Sequence, residues 1–289
     1  MADKEIDEPT GIETTGHTWD GIKELNNPLP RWWLIVFYVT VIWSIGYWVL
    51  MPAWPGITGY TKGIREHSER ENVTRAIEAL DENRADATRR LLAAENMEAI
   101  ENDPDLQAFA LAAGESLFGD NCATCHGAGG QGFPGYPNLN DDAWLWGGTL
   151  DNIRQTLRVG IRSDHPNTHL SLMQAYGADG ILQAEEIDNL VEYVLALSGQ
   201  AHDAAKAAAA TTTFQEQCVA CHGAQGLGEP LLGAPNLTDP IWLYGGDRVT
   251  LRETLWDGRA GVMPAWEPRL SEEEILALAV YVHSLGGGE

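Results

Sequence analysis

The chain contains the stretch Cys122-Ala123-Thr124-Cys125-His126 and repeats its form 96 residues later as Cys218-Val219-Ala220-Cys221-His222. Both stretches fit the pattern Cys-x-x-Cys-His, which is typical of covalent attachment of a c-type haem. Two thiols on one helical turn can each bond the same porphyrin, and the adjacent imidazole then reaches the iron. The sequence therefore predicts two covalently bound haem c groups. Their attachment residues are Cys122, Cys125, Cys218 and Cys221, and their first axial iron ligands are His126 and His222.

The two motifs belong to a longer internal repeat. Helical patterns dominate both copies, and neither copy shows the pattern of a strand of any length. The repeat predicts two helical domains, at 105–199 and 207–289, joined by an Ala- and Thr-rich segment. The residues that recur in the same order are Pro137-Asn138-Leu139 with Pro235-Asn236-Leu237, Trp144 with Trp242, Gly147-Gly148 with Gly245-Gly246, and Gly160 with Gly258.

Two other chemistries use closely paired cysteines. Four cysteines in two pairs can form a Cys₄ zinc site, and a single pair can form a thioredoxin-like redox centre. Each pair here carries its own histidine and its own copy of the downstream repeat, so each looks complete by itself. No βαβ pattern surrounds either pair, which argues against the thioredoxin-like interpretation. The sequence favours haem over both alternatives.

Each haem iron needs a sixth ligand or an open site. Methionine sulfur is the expected donor for an electron-transfer haem because it raises the reduction potential. The chain has five methionines, of which Met173 and Met263 lie in the repeat, one in each copy. We predict both as axial ligands, with His165 and His169 as the alternative donors in the first copy. The sequence does not show which methionine serves which haem, so ligation within a domain and crossed ligation both remain open.

An apolar segment precedes the repeat. Residues 32–51 contain no charge and match the roughly 20 residues that a helix needs to cross a bilayer. Tryptophans near both ends match the aromatic belts of membrane interfaces. We predict a cytoplasmic N-terminal tail at 1–31, a retained transmembrane helix at 32–51 and a juxtamembrane helical linker at 52–104. The charges flanking the helix hardly decide its orientation.

The composition limits the possible partners. Lys and Arg number 18 against 42 Asp and Glu, a formal net charge of −24. A surface this acidic repels phosphates, which argues against nucleic acid as a partner. It attracts basic proteins instead.

With these motifs in place, the chain resembles the CcoP (FixP) subunit of cbb3-type cytochrome c oxidases over nearly its whole length. The most specific part of the resemblance is the segment before the apolar helix, which looks like the part by which this subunit meets the rest of its complex. That segment reads TGHTWDGI at residues 15–22 and ELNNPLPRWW at residues 24–33.

The resemblance implies an all-α chain with an N-terminal transmembrane helix and two tandem class I cytochrome c domains, each with one haem. It carries over the four motif cysteines and two motif histidines as haem residues, with Met173 and Met263 as axial ligands. Gln174 stands where the pattern has Pro after the methionine, so the first copy departs from the family there. Since c-type haem is attached outside the cytoplasm, the resemblance places the haem domains in the periplasm and the anchor in the bacterial inner membrane.

The implied function is electron relay in aerobic respiration. Such a subunit accepts electrons from a basic soluble or membrane cytochrome c and passes them haem to haem towards the catalytic subunit, which reduces oxygen. The implied partners are the catalytic and monohaem subunits, and no catalytic site is expected on this chain. The alternative is a free-standing membrane dihaem cytochrome that feeds other reductases. A dihaem peroxidase and a gas sensor are less favoured, because both irons have a methionine available.

Overall fold

The computed structural model describes residues 5–287. The chain divides into two compact units, Met1–Asn83 and Arg84–Glu289, and the boundary lies inside a continuous helix. Helices dominate the described residues, and the one sheet among them has two strands. The predicted fold class, an all-α chain with an N-terminal apolar helix, is confirmed.

A β-hairpin lies in the first unit, where the sequence analysis assigned only a tail. Strand β1 (Thr14–Trp19) pairs with the antiparallel strand β2 (Ile22–Leu25), and Trp19 lies opposite Ile22. Asp20 and Gly21 form the turn with φ angles of 49° and 83°. An Asp-Gly pair between two extended segments is a strong hairpin signal, because a type I′ turn needs positive φ at both positions.

Helix α1 (Arg31–Leu50) begins after Pro30 and ends where Met51 becomes extended. Apolar side chains surround it on all sides, and none of its residues is buried against other parts of the protein. A helix with this pattern needs a lipid or protein environment. Among the described residues it is the one helix long and apolar enough to cross a membrane, one residue displaced from the predicted span.

The linker becomes helical after an irregular exit from α1. Ile64 and Arg65 donate backbone hydrogen bonds to the carbonyls of Val49 and Leu50, so the chain first folds back on the end of α1. Helix α2 (Glu69–Leu92) and the short helix α3 (Met97–Glu101) follow. Met97 is fully buried in an apolar core of the second unit, a packing position.

Two apolar cores organise the second unit. The first contains helices α4 (Pro104–Asn121), α6 (Leu150–Val159) and α12 (Glu272–His283), with α12 packed along α4 and against α6. The second core is built from four helices that pack on one another, α7 (Ala184–Leu197), α8 (Ala204–Ala209), α9 (Thr211–Gln217) and α11 (Arg248–Asp257). Each copy of the sequence repeat therefore contributes its last helix to the core of the other copy.

Two short antiparallel backbone pairings link the two copies of the sequence repeat. Ile161 and Met263 exchange backbone hydrogen bonds of 2.9 Å each, and Met173 and Arg259 exchange bonds of 3.0 Å each. Gly160 comes just before the first pairing with φ 68°, and a Cβ atom there would lie 2.5 Å from the carbonyl oxygen of Met263. Only glycine tolerates both the backbone angle and the close approach, which explains why it recurs in the repeat.

An ion pair between the buried Glu192 and the exposed Arg248 fastens α7 to the start of α11. The carboxylate of Glu192 accepts bonds from Arg248 Nε and Nη2 at 2.6 and 2.9 Å, and from the backbone N–H of Asp203 at 2.8 Å. Hydrogen bonding from Arg248 is the main cause that lowers the pKa of Glu192 to about 2. These bonds stabilise the second core.

We expect Glu192→Gln to lower the free energy of unfolding by ~2 kcal/mol, as charge-assisted hydrogen bonds are lost. Because folding lowers the pKa of Glu192 from its ordinary value near 4.5, the stabilisation is present above that pH. It is lost as the pH falls towards 2. Denaturant titration between pH 7 and 3 measures both effects. Asp188→Asn, which breaks the exposed pair with Arg252, is the control and should cost under ~1 kcal/mol. An equal cost for both variants would contradict the assignment.

Candidate haem-binding sites

The first motif occupies a helix end. Helix α4 stops at Cys122, and the single turn α5 (Ala123–His126) carries the rest of the motif. The second motif repeats this arrangement at Cys218 and in the turn α10 (Val219–His222). In each pair the first cysteine is buried and the second is exposed, and none of the four forms a disulfide. The buried members lie in different cores, which disfavours a shared Cys₄ zinc site.

Both motif histidines are oriented by a proline carbonyl. His126 Nδ1 lies 3.0 Å from the carbonyl oxygen of Pro137, and His222 Nδ1 lies 3.0 Å from that of Pro235. A carbonyl oxygen only accepts, so Nδ1 carries the proton and Nε2 keeps its lone pair. Metal-ligating histidines commonly have one ring nitrogen fixed in this way.

Burial sets the protonation of these groups. It lowers the pKa of His126 and His222, with the proline carbonyls opposing the shift, so both imidazoles are neutral at pH 7. It also raises the pKa of Cys122 and Cys218 to about 11, with a smaller contribution from the second thiol of each pair. Neutral imidazole is the form that binds iron.

The structure brings each motif together with the methionine of the other repeat copy. Cys122, His126 and Met263 line one cavity. Met173 instead packs against the second core, which contains Cys218. The loop around Met173 is also tied to the second motif, because the Tyr176 hydroxyl donates to the carbonyl of Gln217 at 2.8 Å.

The surroundings of the first motif suit a porphyrin. Trp144 lines the cavity, and its buried indole Nε1–H has no hydrogen-bond partner among the described residues. An unpaired buried donor is costly, and a porphyrin carboxylate would satisfy it. A larger cleft of about 610 Å³ lies between the loops that follow the two motifs. Aromatic and proline residues of both copies line it, namely Phe133, Tyr136, Pro137, Trp144, Pro235, Trp242 and Tyr244.

The alternative donors, His165 and His169, contact other side chains. The ring of His169 stacks on Trp146 at 4.1 Å, and His165 pairs with Glu267 at 3.0 Å. Three arginines have a charge that would suit porphyrin carboxylates, but they pair with protein carboxylates. Arg154 pairs with Glu272, Arg158 with Glu267 and Glu272, and Arg252 with Asp188.

Three protein families match separate segments of the chain. The family described as the N-terminal domain of FixP from cytochrome oxidase cbb3 matches residues 11–58, which hold the hairpin and α1. The cytochrome c family matches residues 111–198, and the family of cbb3-type cytochrome c oxidase subunit III matches residues 205–282.

Curated relatives extend over the full length. The chain is 55% identical to the cbb3-type oxidase subunit FixP of Bradyrhizobium sp. strain ORS 278, with 100% of both chains covered. It is 53% identical to subunit CcoP of Cereibacter sphaeroides, covering 96% of this chain and 95% of the relative. The chain belongs to the CcoP/FixP family. As a CcoP/FixP subunit it is part of an oxidoreductase complex, its two cytochrome c domains imply haem c binding, and its apolar N-terminal helix indicates membrane anchoring.

Two features of this CcoP/FixP chain differ in how well the sequence predicts them: the prolines beside the motif histidines and the contacts of Arg162. Pro137 and Pro235 recur in the repeat, so a role beside the histidines was detectable. Arg162 gives no such signal, since Ala260 occupies the equivalent position after Gly258 in the second copy. Its side chain donates to the carbonyl oxygens of Ser171 and of Gly261, which is 99 residues away along the chain, and these bonds are visible only in the folded chain.

Proposed function

We propose that this chain is the dihaem electron-relay subunit of its oxidase. It attaches one haem c through Cys122 and Cys125 and a second through Cys218 and Cys221. The observation that carries the proposal is the repeated arrangement of a neutral, carbonyl-oriented histidine beside a buried cysteine. The chain has no catalytic site of its own in this proposal, because each iron would have two protein ligands, a histidine and a methionine.

The axial ligation is crossed between the two repeat copies. The haem of the first motif is bound by His126 and Met263, and the haem of the second by His222 and Met173. Met263 supports this assignment by lining the cavity of the first motif, and Met173 by packing on the core of the second. The pairings Ile161–Met263 and Met173–Arg259 hold both methionine loops in place.

Bound haem supplies one-electron chemistry, and the protein residues control its environment. Pro137 and Pro235 fix the tautomer and direction of the two imidazoles. The buried Trp144 Nε1–H would donate to a porphyrin carboxylate in the first site. The apolar cores exclude water from the iron, which together with methionine sulfur keeps the potential high. No bond to oxygen is made on this chain.

The proposed electron donor follows from the charge of the chain. A net charge of −24 attracts a basic cytochrome c donor. Electrons then pass between the two haems and on to the catalytic subunit. A monohaem subunit is the other proposed partner in the complex. Since haem c is attached outside the cytoplasm, the domains after α1 lie in the periplasm and the N-terminal tail lies on the cytoplasmic side of the inner membrane.

A pyridine haemochrome assay on the purified membrane complex tests the proposal. We expect two haem c per chain, and one in the double variant Cys218→Ala/Cys221→Ala. The matched control Cys122→Ala/Cys125→Ala should also retain one. Zinc in place of haem would refute the proposal. Copper and b-type haem that co-purify support the oxidase subunit, whereas their absence favours the free-standing dihaem cytochrome.

A further inference from the structure

One arginine contacts the loops that carry both methionines. The guanidinium of Arg162 donates from Nε to the carbonyl oxygen of Gly261 at 2.6 Å. Its Nη1 donates to the carbonyl oxygen of Ser171. Gly261 lies two residues before Met263, and Ser171 lies two residues before Met173. A single planar group therefore bonds the equivalent position of each methionine loop.

The backbone around Arg162 is fixed as well. Ile161, its neighbour, exchanges two backbone bonds with Met263, and the N–H of Arg162 donates to His169 at 2.7 Å. Arg162 has φ 49°, a left-handed backbone angle that is unfavourable for a residue with a side chain. Such an angle persists where surrounding bonds determine it. The side chain is thus presented to the two carbonyls by a rigid backbone.

The arrangement has no second copy. Ala260 occupies the repeat position of Arg162, and the nearby Arg259 uses its side chain on Thr254 Oγ1 at 2.9 Å and on the ring of Tyr244. The two methionine loops therefore share one guanidinium. A rigid fork with several donors is suited to this role, because a lysine ammonium on a flexible stem does not hold two fixed acceptors with the same geometry.

We propose that Arg162 is a positioning residue for both axial methionines and couples the geometry of the two haem sites. This inference rests on the proposed axial ligation. When both bonds of Arg162 are intact, they hold the two methionine loops in the positions from which sulfur would bind iron. When Arg162 is replaced, both methionine loops lose a hydrogen bond at the same time, so one change in the protein alters both haems.

The test uses the far-red absorption band of methionine-bound ferric haem and a potentiometric titration of the purified complex. We expect Arg162→Gln to reduce the band by more than about half, because methionine ligation weakens in both sites, and to lower both midpoint potentials. Arg162→Lys should retain only part of the wild-type band. Arg252→Gln, which removes an exposed arginine paired with Asp188, should retain it in full.

Three outcomes separate the possible failures. A wild-type complex without the far-red band would refute the axial ligation itself. A wild-type band that Arg162→Gln leaves intact, or reduces at one haem only, would refute the shared role of Arg162. Full restoration by Arg162→Lys would show that positive charge is sufficient and would also overturn the proposal. Haem content per chain, measured in parallel, should stay at the wild-type value in every variant.

Discussion

Replacing Met263 by leucine is expected to leave the iron of the first motif without its sulfur ligand, although Met263 belongs to the second copy of the repeat. Met263 lines the cavity with Cys122 and His126, so its loss removes sulfur from that haem. The potential of the first haem should fall on the order of 0.2 V, within the roughly 0.8 V that axial ligands cover. Leucine and methionine have similar volumes, so the fold should be retained.

The assignment is measured in chains that carry one haem. In the background Cys218→Ala/Cys221→Ala, only the first motif holds haem. Met263→Leu should then abolish the far-red band and allow carbon monoxide to bind the reduced protein, whereas Met173→Leu should do neither. The complementary background, Cys122→Ala/Cys125→Ala, should show the reverse. Ligation within each repeat copy would give the opposite pattern in both backgrounds.

Truncating Leu278 to alanine is expected to destabilise the core around the first motif by about 3 kcal/mol, the usual range for a buried leucine. Leu278 lies in α12 and is fully buried in the core that contains α4 and α6. Hydrogen exchange should therefore accelerate in peptides from α4, more than 150 residues away along the chain. Peptides from α9 should be less affected.

Leu190→Ala is the matched control for this experiment. Leu190 is also fully buried, but it lies in α7 and packs in the core with α9 and α11. Its truncation should accelerate exchange in α9 and α11 and spare α4. If each variant instead affected the peptides of its own repeat copy, the exchange of final helices between the cores would be wrong.

Short patterns made much of the architecture predictable. Residues 32–51 carry no charge, and the observed helix Arg31–Leu50 differs from that span by one residue. Ser271 and Glu274 form the capping box that a serine followed three residues later by a glutamate predicts for the start of α12. The hairpin at Thr14–Leu25 was missed even though Asp20-Gly21 was present, because its strands are short and mostly exposed.

The amino-acid sequence by itself determined the two haem-attachment motifs, the two candidate methionines and the family. These depend on residue types at fixed local spacing, which a linear chain records directly. Only the tertiary structure decided which methionine lies beside which motif, because a repeat offers each helix two nearly equivalent cores and linear spacing does not distinguish them. The packing of α12 on α4 and the bonds from Arg162 to both methionine loops depend on that choice.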